Sequence, residues 1–201
     1  AREFLGQRSA MASQFATLFV ASPGGEMLAY RSGSAVTTPS FTVGDRAYFQ
    51  QTLAEGRPVI SAATVGRGTA EPVVVLTLPV YGADGRIAVV LGGAIRLASH
   101  GLVTQVTRSE DSDPALTVIV DAQGRVISHP DPKWLMRDAT QQPALAGAMG
   151  HWTAQGRPIE PSGLAGRYDD QFVALAGVPD ADWMVVRAAA VDRVLAGGRE
   201  A

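Results

Sequence analysis

The sequence contains no cysteine, which excludes disulfides, thiolate metal ligands and cysteine nucleophiles. Its histidines, His100, His129 and His151, lack the spacing of a metal site, and no HExxH pattern occurs. No apolar run reaches the length of about 18 residues typical of a membrane span. We therefore predict neither a metal site nor a cofactor.

Charge is also sparse. Only 18% of the 201 residues are charged, Lys133 is the only lysine, and the net charge of −2 gives no electrostatic signature of nucleic-acid binding. With 46% hydrophobic residues, the chain can bury a large core, as one domain or as two of about 100 residues. Because the chain begins at Ala1 without an initiator Met, we expect it to be a piece of a longer protein.

The most informative stretch runs from residue 41 to 97. Asp45 is a suitable N-cap for a predicted helix over about 46–55, which Gly56 ends. Two β-branched runs, 72–80 and 87–95, flank the hairpin signal at Asp84-Gly85. The pattern predicts a helix packed on one face of an antiparallel sheet.

Three landmarks of the first half recur in the second half in the same order. They are a strand–turn–strand pattern, a helix stop and a later turn, at 19–28 and 118–127, 54–59 and 154–159, and 80–84 and 178–182. The offsets of 98 to 100 residues predict two α+β lobes of one topology, although such turn signals also recur by coincidence. We predict an amphipathic helix over 1–16, lobes over 17–113 and 114–189, and a C-terminal segment over 190–201.

The order of motifs resembles a double Cache sensor module, in which two PAS-like lobes stack on a long N-terminal helix. The resemblance covers nearly the whole chain and rests on residues 44–50 (GDRAYFQ), 79–80 (PV) with 84–86 (DGR), 90–93 (VLGG), 120–126 (VDAQGRV) with 128–130 (SHP), and 178–186 (VPDADWMVV). It implies a periplasmic, extracytoplasmic sensor region between two transmembrane helices of a bacterial receptor. The implied cytoplasmic outputs are diguanylate cyclases, histidine kinases of two-component systems, or chemoreceptor signalling regions. The N-terminal helix is then a candidate homodimer contact.

The resemblance also implies a small-molecule site in the first, membrane-distal lobe. Arg46 matches the arginine that holds a ligand carboxylate, and Tyr48-Phe49 stand where an aromatic pair is usual. Members that bind amino acids place an Asp near position 94, and those that sense dicarboxylates place a Lys there, but this chain has Ala94. Alanine cannot neutralise an ammonium group, so we expect a small carboxylate, with Arg67 or Arg96 as a second cation.

The remaining candidates come from strand and loop patterns. The alternative for Arg46 is a surface arginine on an exposed first turn, and we favour the anchor. Of Tyr48 and Phe49, one is expected to face the ligand and the other the core, since neighbours on a helix diverge by about 100°. A glycine-rich loop could close over a ligand or be plainly solvated, and one strand face carries a buried hydroxyl that needs a partner. These positions are Ser61, Thr64 and Arg67 on the loop, and Val75 and Thr77 on the strand.

Two other functions remain open on the sequence alone. Ala94 is compatible with a module that binds no ligand and only sets receptor dimer geometry. A small hydrolase is the weaker alternative, because no Gly-x-Ser-x-Gly elbow and no P-loop occur. We predict that this segment is not catalytic.

Overall fold

The computed structural model describes residues 1–7, 14–98, 115–159 and 163–192. The chain divides into two compact units, Ala1–Arg96 and Leu97–Ala201, and each contains one antiparallel sheet with helices. This confirms the predicted α+β class with two PAS-like lobes. The predicted lobe boundary at 113/114 falls within residues 99–114, outside the described residues.

The first unit is built on a seven-stranded sheet with two helices. The strands are β1 (Thr17–Ala21), β2 (Met27–Ser32), β3 (Ala35–Thr37), β4 (Val59–Ile60), β5 (Thr64–Val65), β6 (Pro72–Tyr81) and β7 (Ile87–Arg96). They lie in the order β3-β2-β1-β7-β6-β4, and β5 also pairs with β6. The helices are α1 (Arg2–Gly6) and α2 (Ala47–Glu55), and Gly56 ends α2 in the left-handed conformation, as predicted.

The two faces of this sheet carry separate apolar clusters, because successive side chains of a strand point to opposite faces. On one face, Phe49 of α2 is buried with Val73 and Val75 of β6. On the other face, Leu5 of α1 packs against Leu18 and other residues of β1. The face under α2 contains the candidate site.

The second unit repeats the central part of this sheet. Its elements are β8 (Leu116–Val120), β9 (Val126–Ser128), α3 (Pro143–Ala154), β10 (Leu164–Tyr168), β11 (Gln171–Val178) and β12 (Trp183–Ala190). Two short 3₁₀ helices, Pro132–Trp134 and Ala139–Gln141, precede α3. The strand order β10-β11-β12-β8-β9 places the opening hairpin beside the last strand, as in the first unit.

The sequence repeat corresponds to a repeat of hydrogen bonding. Each opening hairpin has a register shift at the same place, between Val20 and Ala21 in β1 and between Ile119 and Val120 in β8. Both turns then reach a glycine with positive φ, Gly25 or Gly124. The offset of 99 therefore identifies equivalent backbone positions in the two lobes.

The prediction of one helix over 1–16 is corrected in the described residues, 1–7 and 14–16. Helix α1 ends at Gly6 with Gln7 as its C-cap, and residues 14–16 are not helical. At residues 14–16 a long-range contact replaces the helix: the backbone N–H of Ala16 donates to the carbonyl of Ala94, which joins the chain to the sheet one residue before β1. Residues 8–13 of the prediction lie outside the described residues.

The C-terminal segment predicted over 190–201 is described only to residue 192. Its first residue, Ala190, still belongs to β12. Within the described ranges, no helix combines the length and the hydropathy that a membrane crossing needs.

Candidate functional site

A cavity of about 30 Å³ lies under the start of α2, on the helix-covered face of the first sheet. The sheet contributes Thr17, Phe19, Val75 and Ala94. The sides are Met27, Tyr30, Phe41, Val43 and Tyr48, and the 66–71 loop between β5 and β6 contributes Gly66, Arg67, Gly68 and Thr69. The cavity is therefore bounded by residues from several segments that are distant in sequence.

The sheet side of the cavity is set by the register between β1, β7 and β6. Thr17 and Val75 are both direct cross-strand partners of Ala94, so the three side chains share one face. The small methyl group of Ala94 leaves the space that a longer side chain would fill. The next position on that face, Gly92, is covered by the ring of Phe19, which lies 2.0 Å from where a Cβ would stand.

Tyr48 forms the helix side of the cavity. Its side chain is 9% exposed, and burial raises the pKa of its phenol, so the hydroxyl is a protonated donor at neutral pH. Within the described part of the chain, this hydroxyl has no hydrogen-bond partner. A buried phenol without a protein partner is a donor available to a bound molecule.

Tyr30 and Phe41 form the opposite side. Their rings pack edge to face with centroids 5.5 Å apart. Burial raises the pKa of Tyr30 as well. Gly68 of the 66–71 loop rests on this tyrosine, since a Cβ at Gly68 would lie 2.2 Å from the Tyr30 hydroxyl oxygen. Only glycine permits this close approach of the loop to the ring.

The loop is tied to the start of α2 by two arginines. Arg67 donates from Nη1 to Asp45 Oδ1 at 2.9 Å and from Nη2 to Asp45 Oδ2 at 2.7 Å, and also to the carbonyl of Thr42. In the opposite direction, Arg46 donates from Nη2 to the carbonyl of Val65 at 3.1 Å. The hydrogen bond from Arg67 lowers the pKa of Asp45, and the same bond raises the pKa of Arg67.

This pairing corrects the predicted helix start. Asp45 was expected to cap α2, but the N-cap is Arg46, and no side chain caps the helix. Asp45 lies one residue too early and its carboxylate is engaged by Arg67. The partial positive charge at the start of α2 is therefore not neutralised by a capping carboxylate.

Four of the residues proposed from the sequence meet at the cavity. They are Tyr48, Arg67, Val75 and Ala94. The strand pairing is regular from Val73 to Leu78, so Arg96 shares the face of Ala94, but it pairs with Glu71 beside the cavity and does not line it. The pattern expected for the aromatic pair is also present, with Tyr48 at the cavity and Phe49 fully buried in the core.

The other proposed residues have structural partners elsewhere in the unit. Arg46 binds Val65, as described, and does not line the cavity. Ser61 donates to the carbonyl of Ala62 and accepts from the N–H of Val75, while Thr64 pairs with Val73 in the sheet. The buried hydroxyl of Thr77 lies 2.5 Å from that of Thr52, which supplies its expected partner.

Sequence reasoning missed several lining residues. Tyr30 and Phe41 come from a strand and a loop that gave no ligand signal, and Thr69 lies on the glycine-rich loop two residues beyond Arg67, the last loop position proposed from the sequence. Alternation along β1 and β2 could have placed Phe19 and Tyr30 on one face, since they are direct partners. What alternation cannot give is the pairing of β1 with β7, which brings them to Ala94.

The chemistry of the lining favours an anion. None of the described lining residues is acidic or a histidine, whereas Arg67 supplies a cation and Tyr48 a hydroxyl. Within the described ranges, no cluster of three potential metal ligands occurs. The arrangement can hold a small group with oxygen acceptors.

Several solved structures are similar to this chain. The ligand-binding domain of chemoreceptor CtaA from Pseudomonas fluorescens, in complex with L-isoleucine, gives a TM-score of 0.64 at 15% identity over 97% of this chain and 76% of that chain. The domain of PctC from Pseudomonas aeruginosa PAO1, with GABA, gives 0.62 at 19% identity over 92% and 79%. The periplasmic sensory domain of Tlp1 from Campylobacter jejuni gives 0.68 at 14% identity over 90% and 74%. These likenesses show a shared fold.

A comparison with curated protein sequences finds no match. The profile of the Cache domain, in its dCache_1 form, matches residues 2–197. This confirms the resemblance predicted from the order of motifs. Since the match spans nearly the whole sequence, the chain belongs to the Cache domain family.

Proposed function

We propose that this chain is the extracytoplasmic sensor region of a bacterial transmembrane receptor, and that its first unit binds a small carboxylate in the cavity under α2. The observation that carries the proposal is the hydroxyl of Tyr48, a largely buried residue that lines the cavity together with Arg67; in the described part of the chain this hydroxyl has no hydrogen-bond partner. The uncapped start of α2 adds free backbone N–H groups and a partial positive charge. Three kinds of donor thus converge on one anion.

The ligands of the similar structures support this class. L-isoleucine and L-serine with CtaA, and GABA with PctC, each carry a carboxylate. They also carry an ammonium group, for which this cavity offers Ala94 and no acidic residue among its described lining. A carboxylate without a neighbouring ammonium therefore fits the lining better than an α-amino acid.

Arg67 is the proposed carboxylate anchor in the cavity, and Arg46 is proposed to support it by holding Val65 beside the loop. Both guanidinium groups now bind oxygens of the protein, which are the same kind of acceptor that a carboxylate presents. A hydrogen bond to a charged group contributes about 1.5–3 kcal/mol, so loss of the anchor is expected to weaken binding about 10- to 150-fold. The proposed receptor output is a diguanylate cyclase or a histidine kinase.

The test is a thermal-shift screen of monocarboxylates, dicarboxylates, amino acids and amines on the wild type and three variants. A stabilising carboxylate is expected to lose its effect in Arg46→Ala, Arg67→Ala and Tyr48→Phe. Arg57→Ala is the matched control, because Arg57 pairs with the partly exposed Glu55 at the far end of α2. Stabilisation by amines alone, or an unchanged response in all three variants, would contradict the proposal.

A second function deserves the same screen, because one observation favours it. The cavity is small, about 30 Å³, which suits a module that only sets dimer geometry. If the region only sets dimer geometry, no compound of the screen is expected to change its melting temperature. Hydrophobic segments of about 20 residues on both sides of this region in the full-length sequence would support the membrane-receptor part of either function.

A further inference from the structure

The pair formed by Asp45 and Arg67 is the feature on which our further inference rests. It is bidentate, with one oxygen of the carboxylate on each terminal nitrogen of the guanidinium group. Arg67 is also a lining residue of the cavity and belongs to the loop that covers it. We propose that Asp45 is a built-in competitor of the ligand: its carboxylate occupies Arg67 and holds the 66–71 loop shut until a ligand carboxylate replaces it.

The size of the cavity gives the first argument. A carboxylate group has three heavy atoms and an incoming molecule has more, and the cavity of about 30 Å³ is small for such a molecule. The loop leaves no slack, since Gly68 touches Tyr30 without room for a Cβ. A ligand of several heavy atoms gains room when the 66–71 loop moves away from Tyr30, and Arg67 attaches that loop to Thr42 and Asp45 just before α2.

The chemistry of the exchange gives the second argument. Two parallel N–H···O bonds are the arrangement that guanidinium forms with any carboxylate, so Asp45 presents to Arg67 what a ligand would present. The side chain of Asp45 is 61% exposed, so once released it returns to water without leaving a buried charge. The exchange replaces one carboxylate by another and preserves the charge on Arg67.

The third argument comes from the contacts on either side of the pair. Arg46 holds Val65, just before the loop, and backbone hydrogen bonds from Gly66 to Glu71 and from Ala70 to Gly66 keep the loop itself in shape. Once Arg67 is released, opening of the loop breaks these two bonds, so the amides of Gly66 and Ala70 report it. The affinity for a ligand carboxylate then depends on the difference between its binding free energy to Arg67 and that of the Asp45 carboxylate, and not on the ligand's contacts alone.

This inference rests on the proposed function, and its first measurement does not require any ligand. Amide hydrogen exchange at Gly66 and Ala70 reports opening of the loop in the free protein. Asp45→Asn removes the charge and keeps the shape, so exchange at both amides is expected to accelerate severalfold. Glu55→Gln is the matched control, because Glu55 is a partly exposed acid on the same helix that pairs with Arg57 away from the cavity.

The second measurement uses succinate as the probe, titrated by calorimetry. Without its internal competitor, Asp45→Asn is expected to bind succinate up to about tenfold more tightly than the wild type, and Glu55→Gln is expected to match the wild type. Weaker binding of succinate by Asp45→Asn would overturn the proposal, because it would mean that the pair closes over the bound ligand instead of competing with it.

The two measurements fail in different ways. If amide hydrogen exchange at Gly66 and Ala70 is unchanged in Asp45→Asn, the proposal that Asp45 holds the loop shut is wrong, whichever ligand binds in the cavity. Faster exchange, combined with no carboxylate response in any variant, would refute the proposed carboxylate function and, with it, the competition, while showing that the salt bridge only fastens the loop.

Discussion

Neighbouring residues of α2 are expected to respond in opposite ways to substitution. Phe49 is fully buried in the cluster that joins α2 to the sheet, whereas Tyr48 lines the cavity with a hydroxyl that has no partner in the described chain. Removing a buried phenylalanine ring leaves a cavity, so Phe49→Ala is expected to lower the free energy of unfolding by about 3–5 kcal/mol. Tyr48→Phe removes no hydrogen bond and is expected to change it by less than about 0.5 kcal/mol.

The assay is urea unfolding followed by far-UV circular dichroism. Tryptophan fluorescence is unsuitable, because Trp134, Trp152 and Trp183 all belong to the second unit. If Phe49→Ala does not fold, Phe49→Leu gives a graded measurement, with an expected loss of about 1–2 kcal/mol. An unchanged m-value would assign the shift in midpoint to stability.

The same variants separate stability from function. Tyr48→Phe is expected to fold like the wild type and to lose carboxylate binding, whereas Phe49→Leu is expected to bind normally once folded. A loss of stability in Tyr48→Phe as large as that in Phe49→Leu would refute the reasoning, since it would reveal a protein partner for the hydroxyl. Full stability of Phe49→Ala would refute the packing argument.

Three further predictions concern single sites. In a carbon-detected NMR titration, Asp45 is expected to titrate below its usual 3.8, and Arg67→Ala is expected to restore that value. Gly92→Ala places a Cβ 2.0 Å from a phenylalanine ring and is expected to cost about 1–3 kcal/mol in urea unfolding, whereas Gly150→Ala, with open space in α3, is expected to stabilise by up to about 1 kcal/mol. Burial lowers the pKa of His129, so melting temperature is expected to fall as pH drops below 6.5 towards that lowered value, and this part of the loss is expected to disappear in His129→Gln.

Local signals carried much of the fold. The turns at Asp84-Gly85 and at residues 121–124 were predicted because a hairpin depends on a few adjacent residues, and the structure confirms both. Gly56 was identified as the stop of α2 for the same reason. The spacing of these signals also predicted two lobes of one topology, since equivalent turns at offsets of 98 to 100 require equivalent strands.

Local signals failed where a long-range partner competed for the same group. Asp45 has the side chain of an N-cap, yet a guanidinium 22 residues away binds both of its oxygens. The apparent helix over 1–16 ends early because Ala16 finds a carbonyl of β7. A salt bridge or a sheet hydrogen bond with a distant residue replaces the helix cap or helix turn that the local sequence predicts. The order of residues in the sequence does not show that this distant partner is near.

The sequence by itself led to the expectation that a site in the first lobe favours an anion, because Arg46 and Arg67 are present and position 94, where the resemblance implies a charged residue, is alanine. Only the tertiary structure decided which groups meet. Pairing of β1 with β7 brings Phe19 and Thr17 beside Ala94, and closure of the 66–71 loop brings Arg67 to Tyr48. The order of strands in a sheet and the closure of a loop depend on contacts between distant residues, and no local pattern specifies them.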